Sequence, residues 1–166
     1  LAWWFPNPGG SNWQSDRLGS GILYLVRETF GLPSETSPFV NVSDGGHFEN
    51  LGIYELVRRR CTVIIAVDGE CDNELTFGSL GRVIRMCRTD FSAHIDIDVG
   101  SIRRAKDSGS SRAHCTVGRI TYANGSRGYL IYLKSSLTGD EDVDVQQYHD
   151  SHREFPHEST GDQFFS

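Results

Sequence analysis

Val42-Ser43-Asp44-Gly45-Gly46-His47-Phe48-Glu49-Asn50-Leu51-Gly52 places an acid and two glycines between an apolar stretch and a helical pattern. The preceding Phe39-Val40-Asn41-Val42 reads as a short strand, and from Asn50 the spacing turns helical, so Asp44 falls in a strand-to-helix turn. In open α/β sheets that turn lies at the edge where ligands and catalytic groups collect. Gly45 and Gly46 suit it, because glycine takes positive φ without steric cost and lets another backbone or a substrate come close. The expectation is a carboxylate held at a crevice, with Asp44 as the candidate for chemistry.

Working outward, Leu51, Ile53, Tyr54, Leu56 and Val57 predict a helix to about Arg60. Thr62-Val63-Ile64-Ile65-Ala66-Val67 is then a continuous apolar run of β-branched type, which predicts a strand buried on both faces. Strand, helix and strand in this order form a βαβ unit with a right-handed crossover, so the sheet is expected to be parallel here and Asp68 to share an edge with Asp44. Leu80, Val83, Ile84, Cys87 and Phe91 mark an amphipathic helix, and Ile95 and Ile97 alternate with Asp96 and Asp98 as in a short strand. Residues 99–111 read as a polar surface loop. His114 to Tyr122 and Tyr129 to Lys134 flank Asn124-Gly125, a strong hairpin signal, and an acidic run leads to a short helix near Val143 to His149. On the other side, Leu18, Ile22, Leu25, Val26 and Thr29 predict a helix capped by Asp16 and stopped at Gly31 and Pro33. Leu1 to Gly10 is aromatic and broken by proline and glycine, and reads as irregular chain. The fold class expected is α/β, a mostly parallel sheet flanked by helices with an antiparallel hairpin near the C-terminal end.

With 166 residues, 37% hydrophobic and 23% charged, the composition is that of a globular domain with a real core. The chain opens on Leu1 and its only methionine is Met86, so a processed or excerpted chain is expected. At the other end, His157 to Phe165 resembles a helix start capped by Ser159 or Thr160 that stops before a second turn. A net charge of -6 argues against nucleic acid as a partner, since that affinity comes mainly from neutralised phosphates. Arg58-Arg59-Arg60 at a helix end and Arg103-Arg104 with Lys106 in a loop read as solvated faces rather than an anionic-lipid patch. Cys61, Cys71, Cys87 and Cys115 form no CxxC pair and read as reduced, buried thiols. No stretch approaches the ~20 apolar residues that cross a bilayer, and no signal-peptide pattern is present.

Several groupings of reactive residue types compete with structural readings. Asp44, Asp68, Glu70 and Asp72 would make an all-oxygen site suited to magnesium if one sheet edge gathered them, but acids at strand ends are also helix caps and turn formers, which is the reading preferred. Asp140, Asp142 and Asp144 mimic a calcium loop until Val145 and Ser151 replace its glycine and glutamate. His47, His94, His114, His149, His152 and His157 show no zinc spacing, and no metal site is expected. His47 lies too close in sequence to Asp44 to face it in a turn, and is read as a loop hydrogen-bonder. No GxSxG occurs, and Gly78-Ser79-Leu80-Gly81 and Gly19-Ser20-Gly21 have the wrong spacing, so no nucleophile elbow is expected in this chain.

The stretch from Ser43 to Cys61, with Asp44-Gly45-Gly46, Glu49-Asn50-Leu51-Gly52, the arginine run and the strand after it, resembles the aspartate-glycine-glycine region of patatin-like phospholipases. It is most similar to the branch that includes the cytosolic phospholipases and large bacterial relatives. Leu133 to Glu141 and Phe155 to Thr160 are similar to the C-terminal part of those relatives. The resemblance implies that residues 1–166 are the C-terminal portion of one patatin-like α/β hydrolase domain. In that family a GxSxG serine is paired with the aspartate, without histidine, and a glycine-rich loop supplies the oxyanion hole. Only the aspartate carries over, onto Asp44, with Gly45 and Gly46 as its loop. The implied function is a phospholipase A-type lipid acyl-ester hydrolase that needs no cofactor. Its implied partners are phospholipid or another lipid ester and a membrane surface, and its place is cytoplasmic or on the cytoplasmic side of a membrane. The alternatives are a non-catalytic α/β binding module and, behind it, a metal-dependent α/β hydrolase.

Overall fold

The computed structural model describes residues 3–10, 21–34, 36–42 and 44–159. The chain divides into two compact units, Leu1–Asn50 and Leu51–Ser166. The helix start expected at Asp16, and the residues beyond Ser159 that would form the helix expected to be capped there or at Thr160, lie outside the described residues.

In the first unit, β1 (Trp3–Pro6) pairs antiparallel with β2 (Phe39–Val42), Trp3 facing Val42 and Pro6 facing Phe39, and α1 (Gly21–Thr29) lies between them in sequence. The irregular chain expected over Leu1 to Gly10 is therefore a strand. Aromatic residues favour a pleated, half-buried surface, and Pro6, with no N–H to donate, falls at the last rung, where the ladder loses least. Trp4 is buried, its ring 4.9 Å from Tyr24 of α1, which in turn lies 5.1 Å from Phe39. Gly31, at φ +63°, stops α1 as its sequence suggests: Gly31 N–H donates to Glu28 O and Leu32 N–H to Arg27 O, which satisfies two end carbonyls. The apolar side chains of α1 are nonetheless outward, Ile22 being 79% and Leu25 63% exposed.

The second unit holds α2 (Ile53–Arg58), β3 (Val63–Asp68), α3 (Gly78–Phe91), β4 (His94–Asp96), β5 (Cys115–Thr121), β6 (Arg127–Lys134) and α4 (Val143–Ser151). Its strands form one sheet in the order β3-β6-β5-β4, with β3 and β6 parallel and the other two pairs antiparallel. The sheet is thus mixed, not mostly parallel. The strand expected beside β3 was β2, but β2 pairs with β1, and β3 takes its parallel neighbour from the far arm of the hairpin turned by Asn124-Gly125. The expected βαβ unit is not built.

Ile64, Ala66, Leu130, Tyr132, Ile120 and Ile95 form the buried face of this sheet and pack in one cluster with Ile53 and Val57 of α2 and Leu80, Val83 and Cys87 of α3. Each such valine, leucine or isoleucine stabilises the fold by about 1.5–3 kcal/mol on burial. The opposite face is open: Val63, Ile65 and Val67 are 55%, 63% and 72% exposed. The apolar run of β3 is accordingly an alternating strand, covered on one side rather than two. Between β3 and α3, Asp72 accepts from Thr76 N–H and Phe77 N–H and holds Leu75 and Phe77 in the left-handed region with both side chains buried. Burial pushes the Asp72 carboxyl up, and those hydrogen bonds outweigh it and hold the group below its ordinary value. Among the described residues, no helix is long and apolar enough to cross a membrane.

Candidate active site

Asp44 follows β2 and caps a single 3₁₀ turn, Gly45–His47. Its Oδ1 accepts the Gly46 N–H at 3.0 Å, and its carbonyl accepts the His47 N–H at 3.1 Å. The strand-to-helix position expected from the sequence is where the residue sits. The carboxylate is exposed, however, and lines neither the cavity beside Trp4 and Phe39 nor the one bounded by α4. Neither of these two cavities is the expected crevice. Oδ2 accepts no hydrogen bond among the described residues.

The two glycines act differently from expectation. Neither Gly45 nor Gly46 has positive φ; the left-handed residue of this segment is Gly52, at φ +69°, immediately before α2. Gly46 is required by close approach, since a Cβ there would run into Asn50 Oδ1, whereas a Cβ on Gly45 would meet open space. His47 turns its ring Nδ1 to the Asp44 carbonyl at 3.2 Å, not to the carboxylate, and is the loop hydrogen-bonder its position suggests.

Asp68 does not share a sheet edge with Asp44, because β2 and β3 belong to different sheets. At the end of β3 its Oδ1 accepts the Glu70 N–H at 3.0 Å and Lys134 Nζ at 2.8 Å, and its Oδ2 accepts the Tyr132 hydroxyl. Lys134 also donates to Glu70 O at 2.8 Å, and the side chains of the ion pair are at most 2% exposed. Burial and the Asp68 carboxylate together push the Tyr132 hydroxyl far above its ordinary range. Asp68 and Asp72 are therefore engaged by the protein's own donors, which removes two of the four carboxylates that a magnesium site would use. Among the described residues, no three His, Cys, Asp or Glu side chains converge as metal ligands.

Sequence reasoning missed Lys134 and Tyr132. The signal was present: in Gly128, Leu130, Tyr132 and Lys134 the inward positions of β6 repeat every second residue, so Lys134 had to point inward and needed an acid. At the end of α2 a single exposed carboxylate, Glu55, binds both Arg58 (2.6 Å) and Arg59 (2.7 Å), and hydrogen bonds from Arg58 first and Arg59 second lower it to about 2. All four cysteines are free, but only Cys87 is buried in the core; Cys61 is partly buried, and Cys71 and Cys115 are exposed, contrary to the burial expected of them.

No family model, curated protein or solved structure matches this chain.

Proposed function

We propose that this chain supplies the aspartate of a Ser–Asp acyl-ester hydrolase acting on phospholipid or another lipid ester. The observation that carries the reading is the Asp44 carboxylate: one oxygen is fixed by the Gly46 N–H while the other is exposed and unpartnered among the described residues. A carboxylate so held presents a lone pair in a set direction to a hydroxyl. In the proposed reaction Asp44 takes the proton of a serine Oγ as that oxygen attacks the acyl carbonyl, and returns it to the departing alcohol as the tetrahedral intermediate collapses. Water then attacks the acyl-serine, with Asp44 again receiving and returning the proton. A carboxylate in water is a weak base; in this reading the dehydration that strengthens it comes when the lipid and the nucleophile-bearing segment cover the loop. The serine lies outside this chain, which contains no GxSxG, so the chain by itself is inactive.

The test compares hydrolysis of a fluorogenic short-chain ester by the protein that carries this chain together with its nucleophile, and by its Asp44→Asn variant. Loss of turnover with an unchanged fold supports the dyad. Turnover by residues 1–166 alone, or full activity in the variant, overturns it. The second reading, a non-catalytic module on a lipid surface, draws on the outward apolar residues of α1, Ile22, Leu23 and Leu25, and is favoured by vesicle binding that survives Asp44→Asn when no turnover is found in either protein.

A further inference from the structure

The loop 101–111, the segment Ser136-Leu137 beyond β6, and α4 with the chain that follows it enclose a polar cavity of about 320 Å³. Its ionisable lining consists of Arg104, Arg153, His149 and His157, and no aspartate or glutamate lines it. In a chain with 22 acids against 16 lysines and arginines, a wall of this kind is a local reversal of charge. Arg104 has no acid partner among the described residues, and Arg153 makes only a loose 3.6 Å surface contact with Asp150. Ser108 and Ser110 add hydroxyls, and the His149 ring is oriented by its Nδ1, 3.0 Å from Phe155 O.

One group in this wall is unexplained by the fold. His157 is 1% exposed, and its Nδ1 is the one buried side-chain nitrogen or oxygen among the described residues with no hydrogen-bond partner. Such groups are rare in folded proteins, because an unpaired buried polar atom forfeits its hydration. The ring also hydrogen-bonds the Glu70 backbone, an interaction that favours its protonated form, so its other nitrogen donates to that carbonyl. In the neutral ring Nδ1 is then a lone-pair acceptor. The missing partner must bring a donor, while the two guanidiniums call for negative charge.

We propose that this cavity binds a phosphate group, free, on a soluble monoester, or as an exposed monoester headgroup. Inorganic phosphate keeps a P–OH through neutral pH, and a monoester, which titrates near pH 6, keeps one up to about that pH, so each can offer anionic oxygens to Arg104 and Arg153 and a P–OH to His157. Sulfate and carboxylate, fully ionised at that pH, offer the charge without the donor. The proposal does not depend on the role of Asp44.

The test uses the full chain. Inorganic phosphate is titrated at fixed ionic strength and near-neutral pH, followed by calorimetry and by the thermal midpoint, with sulfate as the control. Saturable heat and a raised midpoint with phosphate, and a markedly smaller effect with sulfate, are expected. Arg104→Ala and Arg153→Ala, both at exposed positions, should each weaken phosphate binding about tenfold while leaving the ligand-free midpoint unchanged. Phenyl phosphate and vesicles of phosphatidylcholine containing phosphatidic acid, both at about pH 6, where a monoester still carries a P–OH, separate the sources. Binding of the soluble ester alone assigns a small-molecule site, and Arg104-dependent vesicle binding assigns a headgroup. Absence of saturable phosphate binding, equal binding of sulfate, or full affinity in both arginine variants overturns the proposal.

Discussion

Asp44 and Asp68 begin alike. Each stands at the end of a strand, and each accepts at 3.0 Å the N–H of the residue two places on. They diverge in what tertiary structure brings to the rest of the carboxylate. Asp68 is buried between Lys134 and Tyr132, whereas Asp44 is exposed with Oδ2 unoccupied among the described residues. The same local motif therefore yields a clamp in one place and an available acceptor in the other. Available chemistry is what remains when the fold has not used a group for itself.

That contrast breaks most visibly at Asp44. In the protein carrying the nucleophile, Asp44→Asn is expected to lower turnover by about 10²–10⁴-fold, the span of general base catalysis. Stability should change by less than about 0.5 kcal/mol, since asparagine caps a turn as well as aspartate. Turnover assays beside urea unfolding check both halves. At Asp68 the effect is on folding: Lys134→Met leaves a buried, unpaired carboxylate and should cost about 3–5 kcal/mol, whereas the double change Asp68→Leu with Lys134→Met should recover most of that loss. Urea midpoints of the two variants decide it, and equal destabilisation would mean that the pair is not an isolated charge clamp. Tyr132→Phe removes one hydrogen bond to the same carboxylate and should cost about 1.5–3 kcal/mol by the same measurement.

The smallest effect concerns pH. Burial is the main cause that holds His157 below its ordinary value, with the Lys134 charge adding to it. The unfolded chain then takes up the proton first as pH falls, so the contribution is fully present above about pH 6.5 and is lost on descending through the folded-state pKa. The expected slope is on the order of 1 kcal/mol per pH unit at most. Urea unfolding at pH 7 and pH 5 should show it, and His157→Gln should flatten it.

Much of the second unit was legible because its signals are local. The spacing of Leu80, Val83 and Cys87 gives α3, Asn124-Gly125 gives the turn between β5 and β6, and both elements are found where the pattern places them. Strand partnership was not legible. Nothing in Phe39 to Val42 distinguishes a neighbour of β3 from a neighbour of β1, and that choice decides the sense of the sheet. The outward face of β3 was hidden for the same reason: Val63, Ile65 and Val67 look like core residues, and only the packing shows that α2 and α3 cover the other side. For the candidate site, the position of Asp44 in its turn could be read from the sequence. Its exposure depends on what the rest of the fold brings to it, and the reason for Gly46 on Asn50 folding back, neither of which any periodicity encodes.

The register of β6 also implies an order of events. Thr121 faces Arg127 across a tight turn, while Asp68 must find Lys134 across 66 residues of chain. Closing the longer loop costs more entropy and is repaid only once the shorter one has set β6 in place, so the hairpin is the element ready first and β3 joins it late. Changes in the Asn124-Gly125 turn should then slow folding, while loss of the Asp68–Lys134 contact should chiefly hasten unfolding. The clamp at the end of β3 sets how long the native state lasts more than how quickly it is reached.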